Sequence, residues 1–262
     1  MFKQRFFTSV ILIILVLIGI FYANDSVLLS IMSVLCAAMA WEWSFLIPIV
    51  HKNMKILFII ALLFFILGIH YLFVPSLWMN GVLWLCILWA VVRYPRSGSI
   101  WGHVWLMTGV AWFALGLFAN TLWALFHQSQ GRLLFIYVLN IVWATDIGAY
   151  MFGKLWGKHR LIPQVSPGKT VEGSLGGIAL GFGVSILGYL YFQPQHASIW
   201  FVQAGILIGT AIVGDLWISM LKRRVKMKDT GRILPGHGGI LDRLDSLLAC
   251  LPMFYSLYSG HI

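Results

Sequence analysis

The sequence predicts an all-α fold, a polytopic membrane helical bundle of about nine transmembrane helices with a cytoplasmic N terminus. The first observation is composition: 60% of the 262 residues are hydrophobic and only 10% are charged, which excludes an ordinary water-soluble globule. The second is that apolar residues fall in runs of about 20, the length that crosses a bilayer as a helix. The third is that Lys and Arg are concentrated in alternate connections between these runs.

Apolar runs bounded by polar residues, Pro or Gly are the candidate membrane helices. They lie at about residues 6–23, 26–50, 56–74, 77–92, 100–126, 133–153, 173–192, 199–221 and 241–259. No small-residue cleavage site follows the first run, so we predict a retained helix rather than a signal peptide. The helices leave about 80 residues for all connections, so we expect no separate soluble domain.

The positions of Lys and Arg predict the orientation of these helices. With a cytoplasmic N terminus, sixteen of the eighteen cations fall in cytoplasmic segments, and Arg132 lies in an outer loop. This is the positive-inside pattern, and it places the C terminus outside. The net charge of +10 therefore reports topology rather than a nucleic-acid partner, and we expect no nucleic acid to bind.

Residue size divides the chain into two predicted parts. Residues 1–132 are rich in large apolar side chains and should form a lipid-facing surround, whereas residues 133–262 should carry the catalytic core and the basic loops. Small residues in the second part allow helix backbones to approach closely in lipid. Two glycine pairs there have the four-residue spacing of close-packed helix faces: Gly177 with Gly181, and Gly205 with Gly209. The three cysteines all lie in apolar runs, so we expect neither a disulfide nor a cysteine metal site.

Carboxylates are concentrated in the second part, where six of the eight fall in the final 117 residues. Asp146 and Asp215 lie within membrane helices, where a carboxylate is costly and needs a paired cation, a metal ion or water. Asp242 and Asp245 open the last span, and the predicted topology brings all of these acids to the cytoplasmic ends of their helices. Such oxygen ligands suit Mg²⁺. We predict that Asp215 and Asp242 hold Mg²⁺, and that the other two hold a second cation or orient the first; an ion pair made for packing is the alternative.

Two basic loops border these carboxylates. Residues 222–240 contain six cations together with glycines that let the backbone turn and approach a ligand, and residues 153–173 repeat the combination. A charge run alone is usually a solvated or headgroup-facing segment. Two such loops beside one acidic group fit a phosphate-rich substrate better. The predicted phosphate-binding residues are Ser166, Lys169, Lys222, Arg223, Lys228 and His237.

The string SMLKRRVKMKDTGRILPGHGGILDRLD at residues 219–245 resembles the signature of the phosphatidate cytidylyltransferases, also called CDP-diglyceride synthases. The matching positions are Ser219, Lys222, Arg223, Lys228, Asp229, Gly231, Pro235, His237, Gly238, Gly239, Asp242, Arg243 and Asp245. Upstream, TDIGAYMFGK and SPGKTVEG also resemble family elements, so the likeness covers about residues 140–250. One departure is Ile218, where the family usually has an acidic residue.

The resemblance implies an integral enzyme of the bacterial cytoplasmic (inner) membrane, with its active site on the cytoplasmic side. Such enzymes require Mg²⁺ and convert phosphatidate and CTP to CDP-diacylglycerol and pyrophosphate in phospholipid biosynthesis. The catalytic residues are then Asp146, Lys222, Arg223, His237 and Asp245, and the metal ligands are Asp215 and Asp242. The substrate-binding residues are Ser166, Lys169, Thr170, Ser219, Lys228, Asp229, Gly238, Gly239 and Arg243. The family likeness is also compatible with a homodimer.

Two other functions are alternatives. A CTP-dependent transferase or kinase acting on another lipid, such as a polyprenol or an ether lipid, would use the same kinds of loop. An ion-coupled transporter also buries carboxylates, but it predicts acids near the middle of the membrane and inverted repeats. The acids here lie near one face and the sequence has no internal repeat, so the sequence favours the enzyme.

Overall fold

The computed structural model describes residues 13–49, 51–69, 73–234, 236 and 238–258. Its α-helices are α1 (Ile13–Tyr22), α2 (Asp25–Trp43), α3 (Lys52–Ile69), α4 (Phe73–Val92), α5 (Val104–Phe126), α6 (Gly131–Trp156), α7 (Val171–Phe192), α8 (Ala197–Arg224) and α9 (Leu241–Tyr258). A 3₁₀ helix spans Arg96–Gly102. Two short strands, β1 (Arg160–Ile162) and β2 (Ser166–Thr170), form an antiparallel pair.

The described helices confirm an all-α membrane protein. Six of them are long and apolar enough to cross a membrane, namely α2, α3, α5, α6, α7 and α8. The apolar helices Ile13–Tyr22 and Ser76–Val92, the latter within α4, are shorter, and α9 carries Pro252 inside it. The count of nine spans and the cytoplasmic N terminus therefore stay predictions.

Local sequence explains where several helices begin and end. Asn24 is the N-cap of α2, because its side chain accepts a hydrogen bond from the Val27 amide at 2.9 Å. Helix α8 extends beyond the predicted apolar run to Arg224, so the basic segment expected to be a loop from residue 222 begins as a helix. Its last turn carries three cations, which are favoured at the negative end of the helix dipole.

Strands β1 and β2 replace the open basic loop that we expected between α6 and α7. Pro163 follows β1, and the Val165 amide donates to the Ile162 carbonyl at 3.1 Å, so residues 162–165 close a turn with proline at its second position. The Glu172 carboxylate in the first turn of α7 then accepts hydrogen bonds from the His159 amide and side chain. These bonds fold the connection back onto the start of α7.

The chain divides into two compact units, each assembled from separate stretches of sequence. Unit 1 comprises Met1–Phe73, Ser99–Arg132 and Leu221–Leu244, and unit 2 comprises Val74–Gly98, Leu133–Met220 and Asp245–Ile262. The predicted division into a surround and a core at residue 132 stays a prediction.

Unit 1 is built on mutual packing of α2, α3 and α5. Trp43 and Met39 in α2, Leu62 in α3 and Leu115 in α5 are completely buried. The Asn120 amide group in α5 donates to backbone carbonyls of its own helix and of α3, both at 3.0 Å. Helices in lipid associate through close packing and such polar contacts, since lipid tails are as apolar as the side chains.

Unit 2 uses glycine to bring helices α6 and α7 together. A Cβ atom at Gly177 would lie 2.6 Å from the Thr145 carbonyl oxygen, and one at Gly181 would lie 2.8 Å from the Ile208 side chain of α8. This confirms the close approach predicted for the first glycine pair. The close approach predicted for the second pair was wrong. A Cβ at Gly205 would make only an ordinary van der Waals contact at 3.4 Å, and one at Gly209 would have no atom within 4 Å.

Candidate active site

Within unit 2, Lys169 and Asp215 form an ion pair. The Nζ atom of Lys169, carried by β2, lies 2.6 Å from Oδ2 of Asp215 in α8. The Ser219 hydroxyl, one turn further along α8, donates to Oδ1 of Asp215 at 3.2 Å, so these two residues share the helix face that their spacing predicts. Both members of the pair keep about a quarter of their side-chain surface exposed, at 25% and 29%. The pair is therefore accessible to a ligand.

The Asp245 carboxylate belongs to the same unit and is buried, with 8% of its surface exposed. Its Oδ1 atom accepts the Ser246 amide at 2.7 Å, and it interacts electrostatically with Asp215, Asp146 and Lys169. Glycine makes this neighbourhood compact, because a Cβ at Gly214 would lie 2.8 Å from the Asp245 carbonyl oxygen. Asp245 thus has Asp215, Asp146 and Lys169 as electrostatic neighbours, and Lys169 is paired directly with Asp215.

Within unit 1, Lys222 and Asp242 form a second ion pair. Lys222 Nζ lies 2.6 Å from Asp242 Oδ1, and only 12% and 7% of the two side chains are exposed. The other oxygen, Oδ2, accepts the Thr230 amide at 2.7 Å, the Thr230 hydroxyl at 3.0 Å and the Gly239 amide at 3.2 Å. The carboxylate at the start of α9 thus binds both the end of α8 and the connection between them.

Glu42 in α2 is a site residue to which sequence reasoning assigned no role. Its side chain is fully buried, at 0% exposure, and its oxygens accept hydrogen bonds from the Ile240 amide at 2.9 Å and the Leu241 amide at 2.8 Å. The Thr230 hydroxyl donates to it at 2.9 Å. One signal could have found it: a carboxylate near the end of an apolar span, where an ionisable residue is a functional candidate by default.

The predicted glycines shape the connection between α8 and α9. Gly238 has a φ of +86°, which L side chains rarely adopt, and its backbone pairs with that of Leu234 through hydrogen bonds of 3.0 and 3.2 Å. A Cβ at Gly231 or Gly239 would overlap the Glu42 carboxylate. The predicted phosphate ligand His237 lies outside the described residues.

A cavity of about 480 Å³ lies in unit 1 against this connection. It is lined by Trp41, Glu42, Phe45, Met227, Lys228, Asp229, Thr230, Gly231, Arg232 and Ile233. Small-molecule sites are concavities of this size, on the order of 300–1,000 Å³. The cavity wall includes Lys228 and Asp229, both predicted to bind substrate.

The other predicted site residues have different surroundings. Ser166 begins β2, and the hydroxyl of Thr170 caps α7 by accepting the Gly173 amide at 3.1 Å. Arg223 is exposed and donates to a backbone carbonyl at 3.3 Å within the connection that follows α8. Arg243 is exposed in the first turn of α9. The catalytic role predicted for Arg223 and the substrate-binding roles predicted for the other three residues stay predictions.

The donor set fits Mg²⁺. In the described part of the chain, no group of three or more His, Cys, Asp and Glu side chains could by itself hold a metal ion. Mg²⁺ typically takes one or two protein carboxylates and fills its other positions with water and phosphate oxygens. Asp215, which keeps 29% of its side chain exposed beside Lys169, could supply one such carboxylate.

The fold and the two lysine–carboxylate pairs define a helical membrane protein with charged, phosphate-compatible groups in each of its two units. The chain belongs to the Cytidylyltransferase family, whose model matches residues 3–260. This confirms the resemblance found in the sequence.

Individual relatives are similar over nearly the whole chain. The phosphatidate cytidylyltransferase of Pseudomonas aeruginosa is 33% identical, over 98% of this chain and 97% of its own length. That of Haemophilus influenzae is 28% identical, over 98% and 99%. That of Staphylococcus aureus is 46% identical over 133 residues, which cover 48% of this chain and 49% of the relative.

Proposed function

We propose that this protein transfers the cytidylyl group of CTP to phosphatidate, producing CDP-diacylglycerol and pyrophosphate for phospholipid biosynthesis. The observation that carries the proposal is its likeness to the phosphatidate cytidylyltransferase of Pseudomonas aeruginosa, at 33% identity over nearly the full length of both chains. A helical membrane protein suits this reaction, because one substrate is a lipid whose headgroup stays at the membrane surface.

The reaction joins two anions, so the protein must position them and neutralise their charge. A phosphate oxygen of phosphatidate forms a bond to the α-phosphorus of CTP. The bond from that phosphorus to the oxygen bridging to the β-phosphate breaks, and pyrophosphate leaves with the electron pair. Lys169 and Lys222 are suited to this task, since each ammonium group is held at 2.6 Å by a carboxylate and is therefore fixed before substrate arrives.

We propose that substrate phosphates bind at these two lysines and that the cavity beside Lys228 accepts part of a substrate. The cavity combines the aromatic residues Trp41 and Phe45 with the cations Lys228 and Arg232. This is the mixture of apolar surface and a few polar groups that binds small organic anions. His237 is proposed as a catalytic residue and Gly238 as a substrate-binding residue, the roles that the family likeness implies.

Mg²⁺ is the proposed cofactor, with Asp215 and Asp242 as its ligands. When bound, it would neutralise charge on the transferring and leaving phosphates. Each oxygen of Asp215 accepts one contact, from Lys169 or Ser219, and Oδ1 of Asp242 accepts one, from Lys222, so each keeps a lone pair for a cation. Asp146 and Asp245 are proposed to hold a second cation or to orient the first.

The finer location of the enzyme is also a proposal. We propose the bacterial cytoplasmic (inner) membrane with the active site on the cytoplasmic side, supported by the sixteen cations of the predicted inner segments and by the bacterial relatives. A homodimer is proposed on the family likeness.

A purified-protein assay tests the function. Detergent-solubilised protein is incubated with radiolabelled CTP and phosphatidate, with and without Mg²⁺, and the lipid products are separated. We expect labelled CDP-diacylglycerol only when phosphatidate, CTP and Mg²⁺ are all present. Polyprenols and ether lipids offered in parallel test the alternative acceptors, and labelling of one of these without labelling of phosphatidate would overturn the proposal.

A further inference from the structure

We propose that Glu42 is a positioning residue for the connection between α8 and α9, acting from α2 on the Asp242 carboxylate through Thr230. The signature motifs in residues 140–250, on which the site predictions were based, do not include this residue. The kinetic part of the proposal rests on the proposed function, whereas the conformational part stands independently of it.

The first step is that Glu42 caps α9 from a different helix. The first amides of a helix have no partner within the helix, and α9 begins at Leu241. The Glu42 carboxylate accepts the amides of Ile240 and Leu241 at 2.9 and 2.8 Å. A carboxylate at this end also interacts favourably with the positive pole of the helix dipole. Glu42 thereby determines where α9 starts.

The second step is that Thr230 connects Glu42 to Asp242. The Thr230 hydroxyl lies 2.9 Å from Glu42 Oε2 and 3.0 Å from Asp242 Oδ2, so its single proton is shared between two carboxylates. The Thr230 amide also donates to Asp242 Oδ2 at 2.7 Å. Thr230 is completely buried, at 0% exposure. A displacement of Glu42 would therefore be transmitted to Asp242 and to its partner Lys222.

The third step is that the backbone of the connection packs closely against the Glu42 carboxylate. At Gly231 and Gly239 the chain approaches so closely that any Cβ would overlap the carboxylate. The cavity lined by Lys228 is also lined by Glu42, Thr230 and Gly231. Glu42 thus determines the position of the cavity wall as well as that of Asp242.

A charged carboxylate is needed here rather than a side chain of similar size. The contacts described for Glu42 are all donors, two amides and one hydroxyl. Glutamine keeps the shape but turns an NH₂ group toward at least one of these donors, which leaves a buried amide or hydroxyl without an acceptor. Glu42→Gln should therefore shift the connection while leaving the packing of α2 intact.

The test compares Glu42→Gln with Met39→Ala, a cavity-forming change at a fully buried position on the same helix. We expect the turnover of Glu42→Gln to fall by about 10- to 100-fold, the effect typical of residues that orient ligands of a metal site. Met39→Ala should lower the thermal midpoint but keep normal turnover per folded molecule. Without any substrate, hydrogen exchange in residues 230–241 should be faster in Glu42→Gln only.

A second pair of variants keeps the proposal testable if Glu42→Gln does not fold. Thr230→Val removes the shared hydroxyl and should lower turnover, whereas Thr230→Ser keeps it and should recover most of that loss. Combining Thr230→Val with Glu42→Gln should add little further loss, because both changes break one connection.

Three results would overturn the proposal: equal turnover in Thr230→Val and Thr230→Ser, unchanged hydrogen exchange in Glu42→Gln, or a turnover loss in Met39→Ala that matches that of Glu42→Gln. A wild-type protein that makes no CDP-diacylglycerol would instead overturn the proposed function. In that case the exchange measurement still decides whether Glu42 positions the connection.

Discussion

The two ion pairs should respond differently to removal of their carboxylates, although both carboxylates are proposed Mg²⁺ ligands. Asp215→Asn and Asp242→Asn each keep the size of the side chain and remove its charge. We expect turnover to fall by at least about 100-fold in each, the scale seen when a main electrostatic stabiliser is lost.

Asp215→Asn and Asp242→Asn should lower the free energy of unfolding by different amounts, because the two ion pairs differ in burial. Lys222 and Asp242 are 12% and 7% exposed, so Asp242→Asn leaves a nearly buried ammonium without its partner and should cost about 3–5 kcal/mol. The amide group would also face Lys222 or the donors of Thr230 and Gly239. Lys169 and Asp215 are 25% and 29% exposed, so water reaches the remaining ammonium group and Asp215→Asn should cost less stability than Asp242→Asn.

Thermal unfolding followed by fluorescence of the thirteen tryptophans measures this difference, and Mg²⁺ titration of activity measures the metal dependence. Asp25→Asn is the matched control. Asp25 begins α2, its side chain is 78% exposed, and its Oδ1 atom lies 3.4 Å from Nε2 of His127. Equal destabilisation by Asp215→Asn and Asp242→Asn would refute the argument from burial. An unchanged Mg²⁺ half-saturation with unchanged turnover in either variant would remove that residue from the metal site.

Three further predictions concern topology, the signature and helix packing. A cytosolic reporter fused after Lys226 should be active and one fused after Gln195 inactive, whereas activity at the second position would contradict the nine-span arrangement. The wild-type enzyme should turn over despite Ile218, and activity that appears only in Ile218→Glu would show that the departure is disabling. Gly177→Ala should destabilise the protein, because the new Cβ would lie 2.6 Å from a carbonyl oxygen. The new Cβ in Gly209→Ala would have no atom within 4 Å, so this variant should be neutral or more stable by up to about 1 kcal/mol. Equal thermal midpoints for the two variants would contradict the close approach of α6 and α7.

The sequence alone determined the class of protein, the main helices and the family. Each of these depends on local properties: a run of about 20 apolar residues favours a membrane helix wherever it occurs, and the signature at residues 219–245 is contiguous. The spacing of Asp215 and Ser219 on one helix face was equally readable, since it follows from the helical period. The turn at Pro163 was also present in the sequence, but its consequence, a pair of strands in a basic loop, depends on hydrogen bonds to Glu172.

Which side chains contact one another depends on how distant helices pack. Glu42 and Ile240 are 198 residues apart, and nothing in either local sequence indicates that one accepts a hydrogen bond from the other. The glycine pairs make the same point, because Gly177 and Gly209 have equivalent spacing patterns but only the first faces a neighbouring backbone. Hydropathy and helical period are properties of a continuous stretch of sequence. The environment of a side chain depends instead on the helix that packs against it, and for these residues that helix comes from a distant part of the sequence.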